Sequence, residues 1–519
     1  MKILGRVLVA LVFTVPQILH AGSATWNLDP TSTDWNTAAN WTPATVPRLA
    51  SDTASFAVSN NPNLSLSAPI DLAEMIFTPD ASAYTIGFDH GRTLNLFGAG
   101  ITNNSGVLQT FNLVAFKGVI AQMVFNNGAS AGDGTVFTVN GPSILSSLLF
   151  LDTSSGGSSS ITLSGGTDVF GSHINFAEIS SAGDAVITAQ GGRASGAQGG
   201  LANIGDSATA GHATLIAQGG AVAGALGGSV LFGNTATAGN SALIAEGRLV
   251  GAGGGEIAFL GSATGGSARV QLSGNGSLTI ASLSKGLTLG SVEGSGSISL
   301  GANNLTVGGT NRSVTFSGVI NGVTGRPGGS LTKTGTAKLV LTKGSTFPGG
   351  MNVSGGELAV TNRTGSATGT GPVMVSNGGI LSGPGIIDGA VVIASGAGNG
   401  KLSAGGSRPP SSLTINNTLT FKASATNEFV FNSSTAAANQ IVSGPVTIEP
   451  DVLFTFVDQG SGVLPPGTVF VVLNNTSALP IGGRFENIPD GFVVTTNGGK
   501  FLVNYEGGDG NDLTFTVVP

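Results

Sequence analysis

Along most of the chain, aliphatic residues alternate with small polar ones over short runs and then give way to glycine. That is the pattern of short β-strands with one face in a core. Four phrases make it explicit: AGDAVITAQGG from Ala182, AGHATLIAQGG from Ala210, AGNSALIAEGR from Ala238 and GGSARVQLSG from Gly265. Their starts lie 28, 28 and 27 residues apart, the mark of a unit that stacks on its neighbours. Aligned, Ile187, Leu215, Leu243 and Val270 fill one column, and Ala189, Ala217, Ala245 and Leu272 another two places on. The column between them is mixed: Thr188, Ile216, Ile244 and Gln271. Strands joined by tight hairpins would alternate in direction, so like strands recurring in register predict parallel sheets. The fold class is therefore all-β, a right-handed parallel β-helix, the hand following that of most parallel crossovers. The doublets GG and GR after each strand, with GAQGG, GALGG and GAGGG between phrases, are expected to be turns with positive φ.

The predicted organisation has four parts: a leader over 1–24, a tryptophan-rich cap over 25–60, the β-helix over 61–400 and a β-rich closing segment over 401–519. The regular array lies within 172–280. The leader carries Lys2 and Arg6, an apolar stretch VLVALVFTVPQIL and small residues up to Ala21 and Ala24, which predicts export. Its apolar stretch is short for a membrane span and Pro16 interrupts it. No later stretch approaches a span, so the mature chain is expected to have no integral membrane segment and to lie outside the cytoplasm. All three tryptophans, Trp26, Trp35 and Trp41, fall in the cap. An open solenoid end needs such a cover; the alternative is a platform on which sugar rings stack.

Composition narrows the function. Glycine contributes 85 of 519 residues and charged residues only 9%. The net charge of −7 is spread thinly and no basic patch stands out, so nucleic acid is not an expected partner. Cysteine is absent, which excludes disulfides, thiolate metal sites and thiol catalysis.

At 329–362 the sequence reads GSLTKTGTAKLVLTKGSTFPGGMNVSGGELAVTN. Leu331, Lys333, Gly335, Leu339, Leu341, Phe347, Gly349, Gly350, Val353, Gly355, Gly356 and Leu358 make it resemble the autotransporter-associated β-strand repeat of Gram-negative exported proteins. Ala337 and Ser345 depart from that pattern. The tryptophan stretch and the ending FENIPDGFVVTTNGGKFLVNYEGGDGND resemble the opening and closing segments of such proteins. The resemblance implies a passenger-type β-helical stalk at the cell surface or released from it, with the periplasm as the alternative location. It brings no catalytic residues. No membrane β-barrel follows the closing segment, so export across an outer membrane is expected to need other machinery.

Candidate chemistry is sparse. Beyond His20 in the leader the histidines are His90, His173 and His212. His212 shares a column with Asp184, Asn240 and Ser267, and an Asp184–His212 pair would suit a base and its orienting partner. A polar ladder at a turn is the plainer reading, because the next coils replace both members. The GGDGND stretch at 507–512 resembles one turn of a calcium-binding roll, with Asp509 and Asp512 as oxygen donors. A single copy favours a glycine-rich hairpin. Polysaccharide-active β-helices need clustered carboxylates with a nearby Arg or Lys, and the 27 acidic residues show no Asp-Asp pair. We therefore expect no catalytic, cofactor-binding or metal residues. The expected protein is structural or adhesive, with glycans, host or matrix surfaces or envelope components as partners. The competing class is a polysaccharide-active enzyme or carbohydrate-binding protein on the same scaffold.

Overall fold

Each apolar column of the repeat becomes a ladder of parallel strands. In the computed structural model, Val186–Ala189, Thr214–Ala217, Ala242–Glu246 and Arg269–Ser273 lie side by side. Ile187 pairs with Leu215, Leu215 with Leu243, and Leu243 with Val270. The same ladder aligns Ala189, Ala217, Ala245 and Leu272, all buried, while Gln271 in the mixed column is exposed. The structure describes residues 22–88, 92–115, 120–141, 146–248, 250–323, 328–396, 398–406 and 408–519. The predicted leader up to Ala21, with His20, and the separate His90 lie outside the described residues.

The chain is all-β, about 1% helical, and winds through about 16 turns. Each turn visits three faces. One carries strands from Ala24–Trp26 to Val319–Asn321, and a second runs from Asn63–Ser65 to Leu453–Asp458. The third begins as single-residue bridges linking Ser130, Ser155, Ser181, Thr209, Thr237 and Thr264, then broadens into strands from Leu287–Leu289 to Val446–Ile448. After Val319–Asn321 the first face thins to single hydrogen bonds, Thr346 N to Ile320 O at 3.0 Å and Ala367 N to Ile386 O at 3.1 Å. Strands resume there at Ile386–Ile387. With a rung spacing of about 4.8 Å, the stack is roughly 75 Å long.

The parallel register does not change near residue 400. Gly400–Ala404 pairs with Ala425–Asn432, which pairs with Leu453–Asp458. Residues assigned from the sequence to the β-rich closing segment thus continue the coil as far as Val469–Asn475. Beyond it, Asp512–Val518, Gly499–Gly507 and Val493–Thr496 form an antiparallel meander that closes the end.

The core is columnar. Phe125, Phe150 and Phe176 stack face to face with centroids 4.6 and 4.5 Å apart, Ile204 takes the next place, and Phe232 and Phe259 follow at 4.6 Å. Identical rings at one position of successive coils meet at the rung spacing, and offset contacts of this kind add to burial. At the N-terminal end Trp26, Trp35 and Trp41 are at most 1% exposed and meet edge to face, with Trp35 and Trp41 centroids 4.9 Å apart. Their indole N–H groups donate to Asn61 O, Pro47 O and Trp35 O respectively. With ring faces and donors used inside the protein, they form a lid over the first coil and leave no open platform. The other end has its own device. Asn487 takes the place of a missing strand, accepting from Phe454 N and donating to Phe454 O, both at 2.8 Å.

The glycine-rich stretches of the array differ in part from expectation. Gly224 has the positive φ of a turn, +77°. The doublets are not turns of that kind: at Gly227 an added Cβ would lie 1.9 Å from Gly254 O. The doublets are legs of side loops whose backbones touch from coil to coil, joined by bonds such as Gly192 N to Leu226 O at 2.8 Å and Leu226 N to Ala197 O at 2.9 Å. A side chain there would push two coils apart.

Because each coil contacts only its neighbours, loss of the lid should act locally. Trp35→Ala is expected to cost about 3–5 kcal/mol at the first coils. Hydrogen exchange should show lost protection over 24–112 and unchanged protection over 338–430.

Candidate functional site

The Asp184 column is a surface ladder. His212 Nδ1 lies 3.9 Å from Asp184 Oδ1, and their side chains are 68% and 71% exposed. Asn240 Nδ2 is 3.4 Å from His212 Nε2, and Ser267 Oγ bonds Asn240 Oδ1. Each polar group thus meets its counterpart on the adjacent coil. A pair so exposed is worth little in stability. His173, in contrast, opens the first-face strand His173–Phe176 and lies away from this column. The structure does not bring these two histidines together.

A second polar column runs along a corner of the coil. Asp152, Glu178 and Asp206 hold positive φ of +52°, +58° and +47° at the corner between the first and third faces. Each carboxylate accepts a main-chain N–H of the coil before: Asn127 N to Asp152 at 2.8 Å, Asp152 N to Glu178 at 2.9 Å and Glu178 N to Asp206 at 3.1 Å. They tie corners together. Among the described residues no group of three or more His, Cys, Asp or Glu side chains is placed to hold a metal ion.

Charge gathers on the outer side of the second face towards the C-terminal half. Arg269 bonds Glu293, with Arg312 at 3.7 Å from the same carboxylate. Further along, Lys338 meets Glu357 at 2.8 Å and Lys401 meets Glu428 at 2.8 Å. Ser382 donates to Glu357 and Ser403 to Glu428 at 2.8 Å. Burial would raise the Glu357 pKa, but hydrogen bonds from Lys338 and Ser382 outweigh it and hold the carboxyl below its usual range. The signal in the sequence is a polar residue directly before a buried leucine: Lys338-Leu339, Glu357-Leu358 and Lys401-Leu402.

The positions that carry the 329–362 pattern do structural work. Leu331, Leu339, Leu341, Phe347, Val353 and Leu358 point inward and are buried. Lys333 is 2% exposed, and its Nζ donates to Thr334 O at 2.6 Å and to Gly335 O and Gly355 O at 3.3 Å. It clamps two successive coils through their carbonyls. Gly356, with φ +61°, leaves room for that ammonium: a Cβ would lie 2.8 Å from Nζ. No family model matches the chain, and no characterised protein matches its sequence.

Near the C-terminal end, three loop ends enclose a hollow of about 270 Å³ lined by Phe431, Phe456, Asp458, Ser461, Thr496 and Asn497, with the backbone of Gly460 and Gly462. Asp458 Oδ1 accepts from Ser433 N at 2.9 Å and Gly460 N at 2.8 Å. Desolvation opposes ionisation there, but these bonds prevail and hold the carboxyl below its usual range. The GGDGND stretch forms the turn of the hairpin that pairs Gly507 with Asp512. Asp512 is buried and accepts from Asn475 N at 2.9 Å, so one candidate calcium ligand is committed to the fold.

Two outcomes follow from the buried charges. Lys333→Met keeps the stem but leaves three carbonyls without their donor, and should cost about 1–3 kcal/mol in denaturant unfolding. Burial raises the Asp512 pKa, with Asp509 adding to it. The folded state then holds the proton more tightly than the unfolded chain, so stability from this group falls as pH rises through the range above the ordinary aspartate value. Asp512→Asn, which retains an acceptor for Asn475 N, should therefore raise the melting temperature at neutral pH and flatten its fall between acid and neutral pH.

Proposed function

We propose that the protein is an exported, non-catalytic β-helix of the autotransporter-associated repeat type. It works as a structural or adhesive rod at the surface of a Gram-negative cell or beyond it. The observation that carries this reading is the surface itself. Over coil after coil, outward hydroxyl, amide and charged groups pair with the equivalent groups of the next coil, as in Ser207 with Thr235 at 2.8 Å and Asn203 with Asn175 at 2.6 Å. Such ladders stiffen a long repetitive face suited to an extended partner: a glycan, a matrix surface or another envelope component. The regular geometry of the 329–362 coil supports the same reading, since its patterned residues build the stack.

The charged strip on the second face is the feature that a polysaccharide-active enzyme on this scaffold would use. Its carboxylates are engaged by Lys338, Lys401, Ser382 and Ser403, which leaves them poorly placed as free acid and base. The purified mature chain, incubated with a panel of polysaccharides and with matrix-coated surfaces, should be retained on at least one of them and release no soluble sugar. Release of products, abolished by Glu357→Gln, would replace this reading with the enzyme.

A further inference from the structure

The last coil of a solenoid has no successor to cover it, and here the cover is incomplete. Phe431 is fully buried, whereas Phe456 is only partly buried and lines the hollow at the end of the second face. Phe456 lies parallel to Phe501, with centroids 6.0 Å apart and planes 8° from parallel, and also meets Phe454 and Phe515 at 5.0 and 5.4 Å, so the ring is held in place. The carboxylate beside it is held too. Both main-chain bonds to Asp458 reach the same oxygen, Oδ1. The second oxygen, Oδ2, accepts neither of them and packs close to Gly498, where an added Cβ would come within 2.5 Å of Oδ2 and 2.6 Å of the Phe431 ring. Asn497, at the tip of the same turn, is exposed on the rim.

An immobilised aromatic ring beside an ionised acceptor and an amide suits one class of ligand. A pyranose ring lays its C–H face on an aromatic and donates neighbouring hydroxyls to a carboxylate in charge-assisted bonds. None of the residues lining the hollow is a Lys or Arg, so a sugar acid would meet Asp458 unneutralised. The volume holds a single ring. We infer that this hollow is a terminal subsite for one neutral pyranose unit of a polysaccharide, stacked on Phe456 and hydrogen-bonded to Asp458 Oδ2 and Asn497. The inference rests on the adhesive reading above and gives it a location and a ligand class.

The test uses the full mature chain and calorimetric titration with neutral cello-, malto- and manno-hexaose, with hexagalacturonate as the acidic control. Asp458→Asn retains an acceptor for Ser433 N and Gly460 N, and Asn497→Ala alters an exposed turn, so both should fold; unchanged melting curves check this. At least one neutral hexaose should bind, the acidic one should not, and each substitution should weaken binding by about tenfold or more. Binding of a neutral hexaose with the same affinity in both variants would overturn the subsite and leave the adhesive reading standing. The subsite is equally overturned, and adhesion equally retained, if the chain binds matrix-coated surfaces but none of the neutral hexaoses. If it binds neither sugars nor surfaces, both readings fall.

Discussion

Every coil of this protein must end directly above the place where it began. The backbone of one coil supplies the hydrogen-bond partners of the next, so a rung displaced by one residue would turn every apolar side chain of that strand outward. Other features serve that closure. Alanine at the corners, as at Ala182, Ala210 and Ala238, lets the chain bend without filling the interior. Carboxylates in left-handed conformation at Asp152, Glu178 and Asp206 reach back to bind the preceding corner. Lys333 does the same from inside, through carbonyls.

The part of the fold legible in the sequence is the part where closure repeats at constant length. From Ile187 to Val270 the loops are nearly equal, so equivalent residues fall at a fixed spacing and the register reads off directly. Further on, the second-face positions Lys338, Glu357, Ile380, Lys401 and Thr426 are separated by 19, 23, 21 and 25 residues. Their pairing is as regular in space, but variable loops conceal it from a search for periods. This is why the charged strip escapes notice, and why the coil reads as ending near residue 400 when it continues to Val469–Asn475. The glycine doublets are hidden for another reason. A residue chosen for closeness to a neighbouring backbone looks, in one dimension, like a residue chosen for its torsion angles.

The candidate chemistry was legible in outline only. The column holding Asp184 and His212 is where alignment places it, and its ladder follows from the stacking. The hollow beside Asp458 is assembled from Phe431, residues 456–462 and residues 496–497, which no local motif connects. Its aromatic ring is an ordinary core position that lacks a next coil to bury it. Sites of this origin belong to the end of a repeat array, where the rules of the array lapse.

The constancy of the 28-residue unit also bears on how such a chain changes over generations. Removing or copying one unit between Ala182 and Ala238 would join a coil to one of the same shape, with the tryptophan lid and the Asn487 closure untouched at the two ends. Length is then inherited almost independently of everything else. A slip of replication across 28 codons would alter the reach of the rod by one rung while leaving its termini, and whatever they hold, as they were.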